Sequence, residues 1–342
     1  MSGKGQGKDM KRLANLPTGI LLFILLLAII FPFAPVSLYY THVMILIFIW
    51  AAVTTAWSYM ARFGMISLCH GAWMGIAAYI SVLLFNFYHL SPWVGMWLGL
   101  FGVAIAAGVI GYTCFRFGLI GHYFAVTTLV ITELVALVII AFRDITGGRL
   151  GLSVKPLGTA PLYFQFESKV PFYFAALALL LLSLYIWRKI DQSKAQKALA
   201  AIGEDEVAAS SIGINVVRYK TGVAVISALV TGMGGIVYGQ YIMYLNPITM
   251  VSIGASLVFV FMGILGGMLT LWGPMIGAIL MTGLQEYIRI AYGTVLMGWA
   301  WVGYGVIIVV MIIFLPEGLH GTFIEALHKR RMRKAARVSA TP

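Results

Sequence analysis

Long runs of apolar residues separated by short polar segments are the dominant pattern along this 342-residue chain. Each run is close to the roughly 20 residues that an α-helix needs to cross a bilayer. The strict alternation typical of barrel strands is absent, and the runs are too long for such strands. The pattern predicts ten membrane-spanning helices, at about 18–36, 40–61, 67–88, 92–116, 121–142, 171–188, 218–243, 251–270, 273–291 and 298–315.

Composition predicts the same class, an all-α polytopic membrane protein. Hydrophobic residues make up 61% of the chain, charged residues 10%, and the mean hydropathy is +0.96. Soluble domains are nearer to about half apolar and a quarter charged. The net charge of +12 could suit a nucleic acid, but the basic residues occupy loops and tails, which argues against that partner. Cys69 and Cys114 lie in or beside apolar runs and are predicted to be buried rather than disulfide-bonded.

Lys and Arg residues are concentrated in three places: four in residues 1–16, six in 188–220 and six in 329–337. The positive-inside rule therefore places the N-terminal tail (1–16), the loop 189–217 and the C-terminal tail (319–342) in the cytoplasm, around a transmembrane domain over 17–318. The first apolar run lacks a convincing cleavage site and is expected to be retained. No GK[ST] sequence occurs, so any ATP is expected to be bound by another protein.

Two stretches resemble each other, GMISLCHGAWMG (64–75) and GMLTLWGPMIG (267–277). With ten spans they run in the same direction, whereas an inverted pair would require one of them to be re-entrant. Interrupted helices in corresponding positions are the best sequence indication of a transport pathway. Small residues at this spacing also pack helices together, and both interpretations stay open. The candidate pathway residues in the two stretches are Gly64, Ser67, His70, Gly71, Gly75, Gly267, Thr270 and Gly273.

Several polar residues lie within or beside the predicted spans. Glu133 is either a further pathway residue or an acid hydrogen-bonded to a neighbouring helix; the lack of a basic partner in its own span favours the second. For His70 the alternatives are contact with a solute or a hydrogen bond at a helix break. Glu286 and Arg289 are predicted to form an ion pair on one helix face. The glycine-rich loop 143–151 either contacts the solute or a docking protein, or forms a tight surface turn. No His, Cys, Asp and Glu cluster at metal-binding spacings.

The segment 194–220 differs from its apolar neighbours because it is charged and rich in alanine. Gly203 and Gly213 bracket a predicted short helix, EDEVAASSI (204–212). Its three acids would occupy the first turn, where the helix dipole favours negative charge, and Gly213 would lie just past its end. This helix has too little apolar area to anchor itself in lipid. We expect it to lie against another protein, with a solvated loop as the alternative.

The sequence EVAA (206–209), with Gly213 four residues later, resembles the EAA-type cytoplasmic loop of ABC importer permeases. Its continuation GINVVRYK (213–220) is similar to permeases of the leucine/isoleucine/valine importer family, in particular the larger of the two permease subunits. Further similar blocks, in family order, are SLCHGAWMGIAAY (67–79), GHYFAVTTLVITEL (121–134), ITGGRLGL (145–152) and GMLTLWGPMIGA (267–278). The resemblance covers roughly 40–318. Gly203 departs from it, standing where the family usually has a charged residue, as does Cys69, where glycine is common.

The resemblance implies an assembly in the inner membrane. Its other members would be a second homologous permease, two cytoplasmic ATP-binding subunits and a periplasmic or surface solute-binding protein. This chain would bind no cofactor and have no catalytic residue of its own, because the partner subunits use the ATP. The residues implied in coupling to the ATPase are Glu204, Glu206, Ala208, Ala209, Gly213 and Arg218.

The resemblance implies branched-chain amino acids as cargo. A pathway lined by Met, Phe, Leu and Gly with few fixed charges suits such small apolar zwitterions. Urea or short amides are an alternative cargo. An ion-coupled secondary transporter is less favoured because intramembrane acids are sparse, and a membrane-embedded enzyme because no catalytic constellation occurs on the spans.

Overall fold

A computed structural model describes residues 18–35, 37–158, 160–292, 303, 305–306 and 318–323. The α-helices are α1 (Thr18–Ile30), α2 (Leu38–Ala61), α3 (His70–Tyr88), α4 (Pro92–Arg116), α5 (Gly121–Ala141), α6 (Arg143–Thr146), α7 (Val170–Gln192), α8 (Lys194–Glu204), α9 (Glu206–Ser211), α10 (Val216–Ile242), α11 (Pro247–Met250), α12 (Ile253–Gly266) and α13 (Gly273–Tyr292). Single turns of 3-10 helix cover Phe31–Phe33, Gly148–Leu150 and Pro161–Tyr163. The strands β1 (Leu152–Ser153) and β2 (Tyr244–Leu245) pair antiparallel.

The predicted all-α membrane class is confirmed. Within the described part of the chain, seven helical segments are long and apolar enough to cross a membrane: Leu38–Ala61, His70–Tyr88, Pro92–Arg116, Gly121–Ala141, Val170–Gln192, Val216–Ile242 and Pro247–Gly266. The described part of α1 has 13 residues. The helix α13 covers the predicted span at 273–291 and has 20 residues, but it is not among these seven. The predicted span at 298–315 and most of the predicted tails lie outside the described residues.

The long helix α10 lies at the centre of the bundle and packs against α2, α3 and α4. Glycine lets the backbones approach closely at these crossings. A Cβ atom at Gly235 of α10 would lie 2.3 Å from the carbonyl oxygen of Met74 in α3, and one at Gly99 of α4 would lie 2.6 Å from that of Ala77. Besides α10, the helix α2 also packs against α7 and α13. Substituting either glycine would therefore force α3 away from its neighbour.

The bundle has two distinct ends. The first, which we call the basic end, contains Arg62, Arg116 and the helices α8 and α9, all close to the start of α10. The opposite end, the hairpin end, contains the β1–β2 pair, in which Leu152 is opposite Leu245. The helix α2 ends at the basic end, next to Arg62. Trp57 near that end packs in one cluster with Val260 of α12 and with Met268, which follows α12. Both helices therefore run toward the basic end.

Most predicted spans agree with the helices to within a few residues, but that at 67–88 begins too early. The chain leaves α2 at Arg62 and is not helical until His70. Gly64 adopts a left-handed backbone conformation, with φ of +80°, and so turns the chain back into the bundle. The connection predicted at 189–217 contains two short helices, α8 and α9, where one was predicted. The span predicted at 251–270 ends earlier, at Gly266.

Candidate functional site

The polar segment between α7 and α10 forms two helices instead of the single predicted one. Glu204 is the last residue of α8, and Asp205 adopts an extended conformation between the helices. The Asp205 carboxylate accepts hydrogen bonds from the backbone N–H groups of Val207 (2.8 Å) and Ala208 (3.0 Å). The prediction of three acids in one first turn was therefore wrong: because Asp205 caps α9, it must lie outside the helix, and only Glu206 occupies the first turn.

Gly213 lies just past the end of α9, as predicted. Its φ is +87°, a conformation that favours glycine at a helix C-terminus. The N–H of Gly213 donates to the Ser210 carbonyl at 3.0 Å, and that of Ile214 donates to the Ala209 carbonyl at 3.1 Å. These bonds satisfy carbonyl groups that the end of a helix would otherwise leave free. The helix is thus closed at both ends although it has only six residues.

One face of α9 points away from the rest of the chain. Val207 is 75% exposed and Ile212 is 76% exposed, and the small residues Ala208 and Ser210 between them are exposed as well. Two large aliphatic side chains on a short polar helix form an apolar patch with no cover in the described structure. Ala209, one of the residues implied in coupling to the ATPase, is 2% exposed and points into the bundle instead. Ala209 lies two residues after Val207, and residues two apart lie on nearly opposite sides of a helix, so Ala209 faces the bundle when Val207 faces outward.

An ion pair attaches α9 to the bundle. The carboxylate of Glu206 pairs with the ammonium of Lys220, which lies one turn inside α10 and is only 5% exposed. The Lys220 ammonium also lies 5.3 Å from the ring centroid of Phe115 at the end of α4, close enough for a cation–π interaction. Glu206 therefore holds α9 onto α10 and α4, while Arg218, also near the start of α10, is exposed.

The helix α8 is attached at the connection that leaves α2. A Cβ atom at Gly203 would lie 3.3 Å from the carbonyl oxygen of Phe63, so the two backbones are in contact. The neighbouring Arg62 side chain is 6% exposed, lies 4.0 Å from the Trp187 ring and pairs with Asp191 at 3.6 Å. Burial lowers the pKa of Arg62 to about 10, with the Asp191 carboxylate acting in the opposite direction. Displacement of α8 would therefore be transmitted directly to the 62–65 connection.

The first of the two similar stretches continues from this connection as buried, non-helical backbone. Its polar groups are satisfied by side chains of neighbouring helices, as irregular backbone inside a membrane protein requires. The Trp57 indole N–H donates to the Ser67 carbonyl at 2.9 Å, and the Thr132 hydroxyl donates to the Leu68 carbonyl at 2.7 Å. The Leu68 N–H donates to the Thr128 hydroxyl at 3.0 Å. The Ser67 hydroxyl accepts from the N–H of Cys69, just before α3.

His70 begins α3 and is fully buried at the helix break. Its Nε2 lies 2.9 Å from the Ser227 hydroxyl of α10, which itself donates to the Ala56 carbonyl at 2.7 Å. Since that hydroxyl proton is used, the ring nitrogen is the donor to Ser227. The predicted hydrogen-bonded histidine at a helix break is confirmed. This triple contact joins the start of α3 to both α2 and α10.

Gly71, Gly75 and Glu133 converge on the segment that joins α11 to α12. The N–H of Gly71 donates to the Ser256 hydroxyl at 3.0 Å, and a Cβ at Gly75 would lie 2.3 Å from Val251 Cγ2. The Glu133 carboxylate accepts from the N–H of Ile253 at 3.0 Å, at the N-terminus of α12, where the helix dipole favours it. The predicted hydrogen bond from Glu133 to a neighbouring helix is confirmed, and the two glycines pack closely. Their role as pathway residues stays a prediction.

The second similar stretch repeats the local geometry of the first. Gly267, like Gly64, has a positive φ, of +108°. The Thr270 hydroxyl, aligned with that of Ser67, accepts from the N–H of Gly273 at 3.2 Å, where α13 begins. Both stretches thus follow a helix running toward the basic end and precede one running back, so the predicted common direction is confirmed. His320, in the described segment 318–323, lies 2.9 Å from the Thr270 hydroxyl.

The remaining polar predictions concern the hairpin end. Arg289 Nη2 lies 2.5 Å from the Glu286 carboxylate, so the predicted ion pair is confirmed. In the glycine-rich loop, the Thr146 hydroxyl donates to the Ile139 carbonyl at 2.6 Å, and a Cβ at Gly147 would lie 1.9 Å from the Gly151 carbonyl oxygen. This is the tight turn that the sequence analysis gave as one alternative.

Sequence reasoning missed the two basic residues that attach the polar segment. Lys220 entered the prediction only as one of the six basic residues in 188–220, and Arg62 was not among the predicted site residues. A signal was present, because each lies next to a predicted helix boundary and within reach of aromatic residues. Nothing in the sequence paired Lys220 with Glu206, since these residues belong to different helices.

Comparison with known proteins places these features in a wider group. The sequence profile of a family described as the permease component of the branched-chain amino acid transport system matches residues 39–315. Two similar proteins are both named high-affinity branched-chain amino acid transport system permease protein LivM. That of Escherichia coli is 27% identical and that of Salmonella typhimurium 26% identical, each over 280 residues covering 75% of this chain and 64% of the relative. The match thus spans less than two thirds of either relative. No solved structure matches the chain significantly.

Proposed function

The chain belongs to the permease family of branched-chain amino acid transport systems, and from that premise we propose that it is the membrane-spanning subunit of an ABC importer. In this proposal it moves branched-chain amino acids across the inner membrane and binds no nucleotide itself. Two ATP-binding subunits in the cytoplasm, a second homologous permease and a solute-binding protein complete the transporter. Both termini and the α8–α9 segment lie in the cytoplasm.

The attachment of α9 carries the proposal. A subunit driven by an external ATPase needs a stiff element that is exposed to the partner and firmly joined to the spans. The helix α9 presents Val207 and Ile212 outward, while the Glu206–Lys220 pair fixes it to α10. A force applied to the exposed face would therefore reach the central helix of the bundle.

A second contact would carry the force applied to the α8–α9 segment to the start of α3. Gly203 of α8 abuts the backbone of Phe63, and the chain continues from Phe63 through Gly64 into the buried stretch that ends at His70. Because His70 is hydrogen-bonded to Ser227 of α10, movement of α8 and movement of α10 would converge on the start of α3. We propose that alternation between outward-open and inward-open states involves this junction.

The cargo assignment rests on the relatives and on the chemistry of the interior. The names of both relatives specify branched-chain amino acids, which favours that cargo over urea or short amides. Buried polar groups around the interrupted helices are hydroxyls and a histidine, such as Ser227, Ser256 and His70. Such groups can hydrogen-bond a small zwitterion without adding a charged side chain to the pathway.

Reconstitution of the complete transporter tests the proposal. Proteoliposomes containing this chain, its partner permease and the ATP-binding subunits should take up labelled leucine only with ATP and the solute-binding protein, and urea should not compete. The matched control contains this chain alone in vesicles with a proton or sodium gradient. Gradient-driven uptake by the chain alone would show a secondary transporter, and ATP-dependent uptake of urea but not leucine would reject the cargo.

A further inference from the structure

A cavity of about 380 Å³ lies at the basic end, between the α8–α9 segment, the connection that leaves α2 and the junction of α4 with α5. We call it the Lys220 pocket. Its volume is at the lower end of the range of ligand-binding cavities, about 300–1,000 Å³, which suits a small molecule rather than a nucleotide or peptide. The pocket shares Val207 with the exposed face of α9, and it is separate from Gly71 and Gly75, which pack close to the start of α12.

The wall of the Lys220 pocket combines an apolar surface with both signs of charge. Met65, Phe115 and Phe124 line it and are at most 5% exposed. Lys220 and the three acids Glu204, Asp205 and Glu206 line it as well, and the Lys220 ammonium lies beside the Phe115 ring. A ligand that fits this wall has an apolar part, an anionic group and a cationic group within a small volume. Those three features together define a zwitterionic amino acid with an apolar side chain.

The ion pair in the wall can accept such a ligand without losing its own charges. An ammonium group has three donors and a carboxylate has about four lone-pair sites, so Lys220 and Glu206 can bind each other and a ligand at the same time. The ligand carboxylate would take a free donor of Lys220, and its ammonium would take a free oxygen of Glu206 or Glu204. Lys220 is 5% exposed, and charge-assisted bonds are strong where water is excluded.

We propose that the Lys220 pocket binds a free apolar amino acid from the side of the membrane on which α9 lies. The proposal rests on the function proposed above, because the ligand is then the transported product. Occupancy would draw Glu206 and Lys220, which hold α9 to α10, into contacts with the ligand. The accumulated product would therefore slow its own import at the element that receives force from the ATPase.

Direct binding tests the pocket without transport. The full-length chain in lipid nanodiscs should bind radiolabelled leucine saturably. Leucinol, which lacks the carboxylate, and 4-methylpentanoate, which lacks the ammonium, should each bind about tenfold more weakly or worse, because each loses a charge-assisted hydrogen bond. Absence of saturable leucine binding, or equal binding of all three compounds, would overturn the proposal.

A substitution that fills the pocket provides the matched control. Leu119 lines the pocket and is only partly buried, so Leu119→Trp should fill the space and abolish leucine binding, while Leu119→Met, which conserves volume, should retain it. Thermal unfolding checks that both variants fold. If Leu119→Trp does not, Ile120→Trp replaces it, because Ile120 lines the pocket and is 53% exposed. Unchanged affinity in a folded pocket-filling variant would overturn the assignment.

Transport separates this proposal from the function on which it rests. Leucine loaded inside proteoliposomes of the complete transporter should slow uptake by the wild type but not by the folded Leu119→Trp variant. Equal slowing of both would reject regulation through this pocket. Leucine binding in nanodiscs without any uptake by the complete transporter would reject the proposed function but leave the pocket intact.

Discussion

Glu206→Gln removes the negative partner of the Lys220 ammonium and tests how α9 is attached. Breaking a buried ion pair by removing one partner costs about 3–5 kcal/mol. Glu206 is 32% exposed and Phe115 still faces the ammonium, so we expect the smaller cost of an unsatisfied buried donor, about 1–3 kcal/mol. Such a change alters the ratio of docked to undocked α9 by about 5- to 150-fold. A six-residue helix is not stable by itself, so α9 cannot compensate for the lost ion pair.

The assay is leucine uptake and ATP hydrolysis measured on the same proteoliposomes. We expect Glu206→Gln to insert and assemble normally, with uptake falling much more than hydrolysis. Glu167→Gln removes an equal charge from an exposed site at the hairpin end and should change neither. Adding Lys220→Met to Glu206→Gln removes the stranded charge and should restore part of the coupling. If Glu206→Gln transports the wild-type amount of leucine per ATP, the ion pair does not hold α9 in the working transporter.

Three further substitutions test the local geometry. Gly64→Ala should lower the free energy of unfolding by about 1–2 kcal/mol through backbone strain alone, because Gly64 has φ of +80° and open space where a Cβ would lie. Gly222→Ala, in a helix with equally open space, should not lower it. Equal melting temperatures of the two variants would contradict the left-handed turn at Gly64. Gly71→Ala should impair folding because its Cβ would lie 2.8 Å from the Ser256 hydroxyl oxygen, and Ser256→Ala should partly rescue it; a folded Gly71→Ala that only blocks uptake would favour the pathway interpretation. Arg62→Lys should lower the melting temperature although it keeps the charge, because a lysine cannot stack on Trp187 while reaching Asp191; an unchanged value would mean that the stacking contributes nothing.

The sequence was a good guide where a single physical effect decides the structure. Bilayer thickness sets the length of the apolar runs, so the spanning helices α2, α3, α4, α5, α7 and α10 could be predicted to within a few residues. Gly213 could be placed because a helix end that needs a positive φ favours glycine. The charge pattern of Glu286 and Arg289 predicted a pair because both lie on the same helix.

The sequence was a poor guide where two segments compete for the same residues. The stretch 64–69 is apolar enough for a span, yet it is not helical, because hydroxyls and an indole from α2 and α5 satisfy its backbone. Asp205 could serve in a first turn or as a cap, and the cap prevailed because the carboxylate satisfies two N–H groups at once. The inward position of Ala209 and the partner of Lys220 depend on how α9 lies on the bundle, which requires three-dimensional information.

The labelling of a single cysteine on α9 tests the central claim, that this helix faces the cytoplasm and is covered by the ATP-binding subunits. Both native cysteines are buried, Cys69 at 0% and Cys114 at 4% exposure, so the background is low. Ile212→Cys is the probe, and Leu150→Cys, 84% exposed at the hairpin end in the wild type, is the control for the opposite side.

A membrane-impermeant maleimide should label Ile212→Cys only in inside-out vesicles, and Leu150→Cys only in right-side-out vesicles. Co-expression of the ATP-binding subunits should protect Ile212→Cys and leave Leu150→Cys unchanged. Labelling of Ile212→Cys in right-side-out vesicles, or labelling that is equally fast with and without the ATP-binding subunits, would contradict the account.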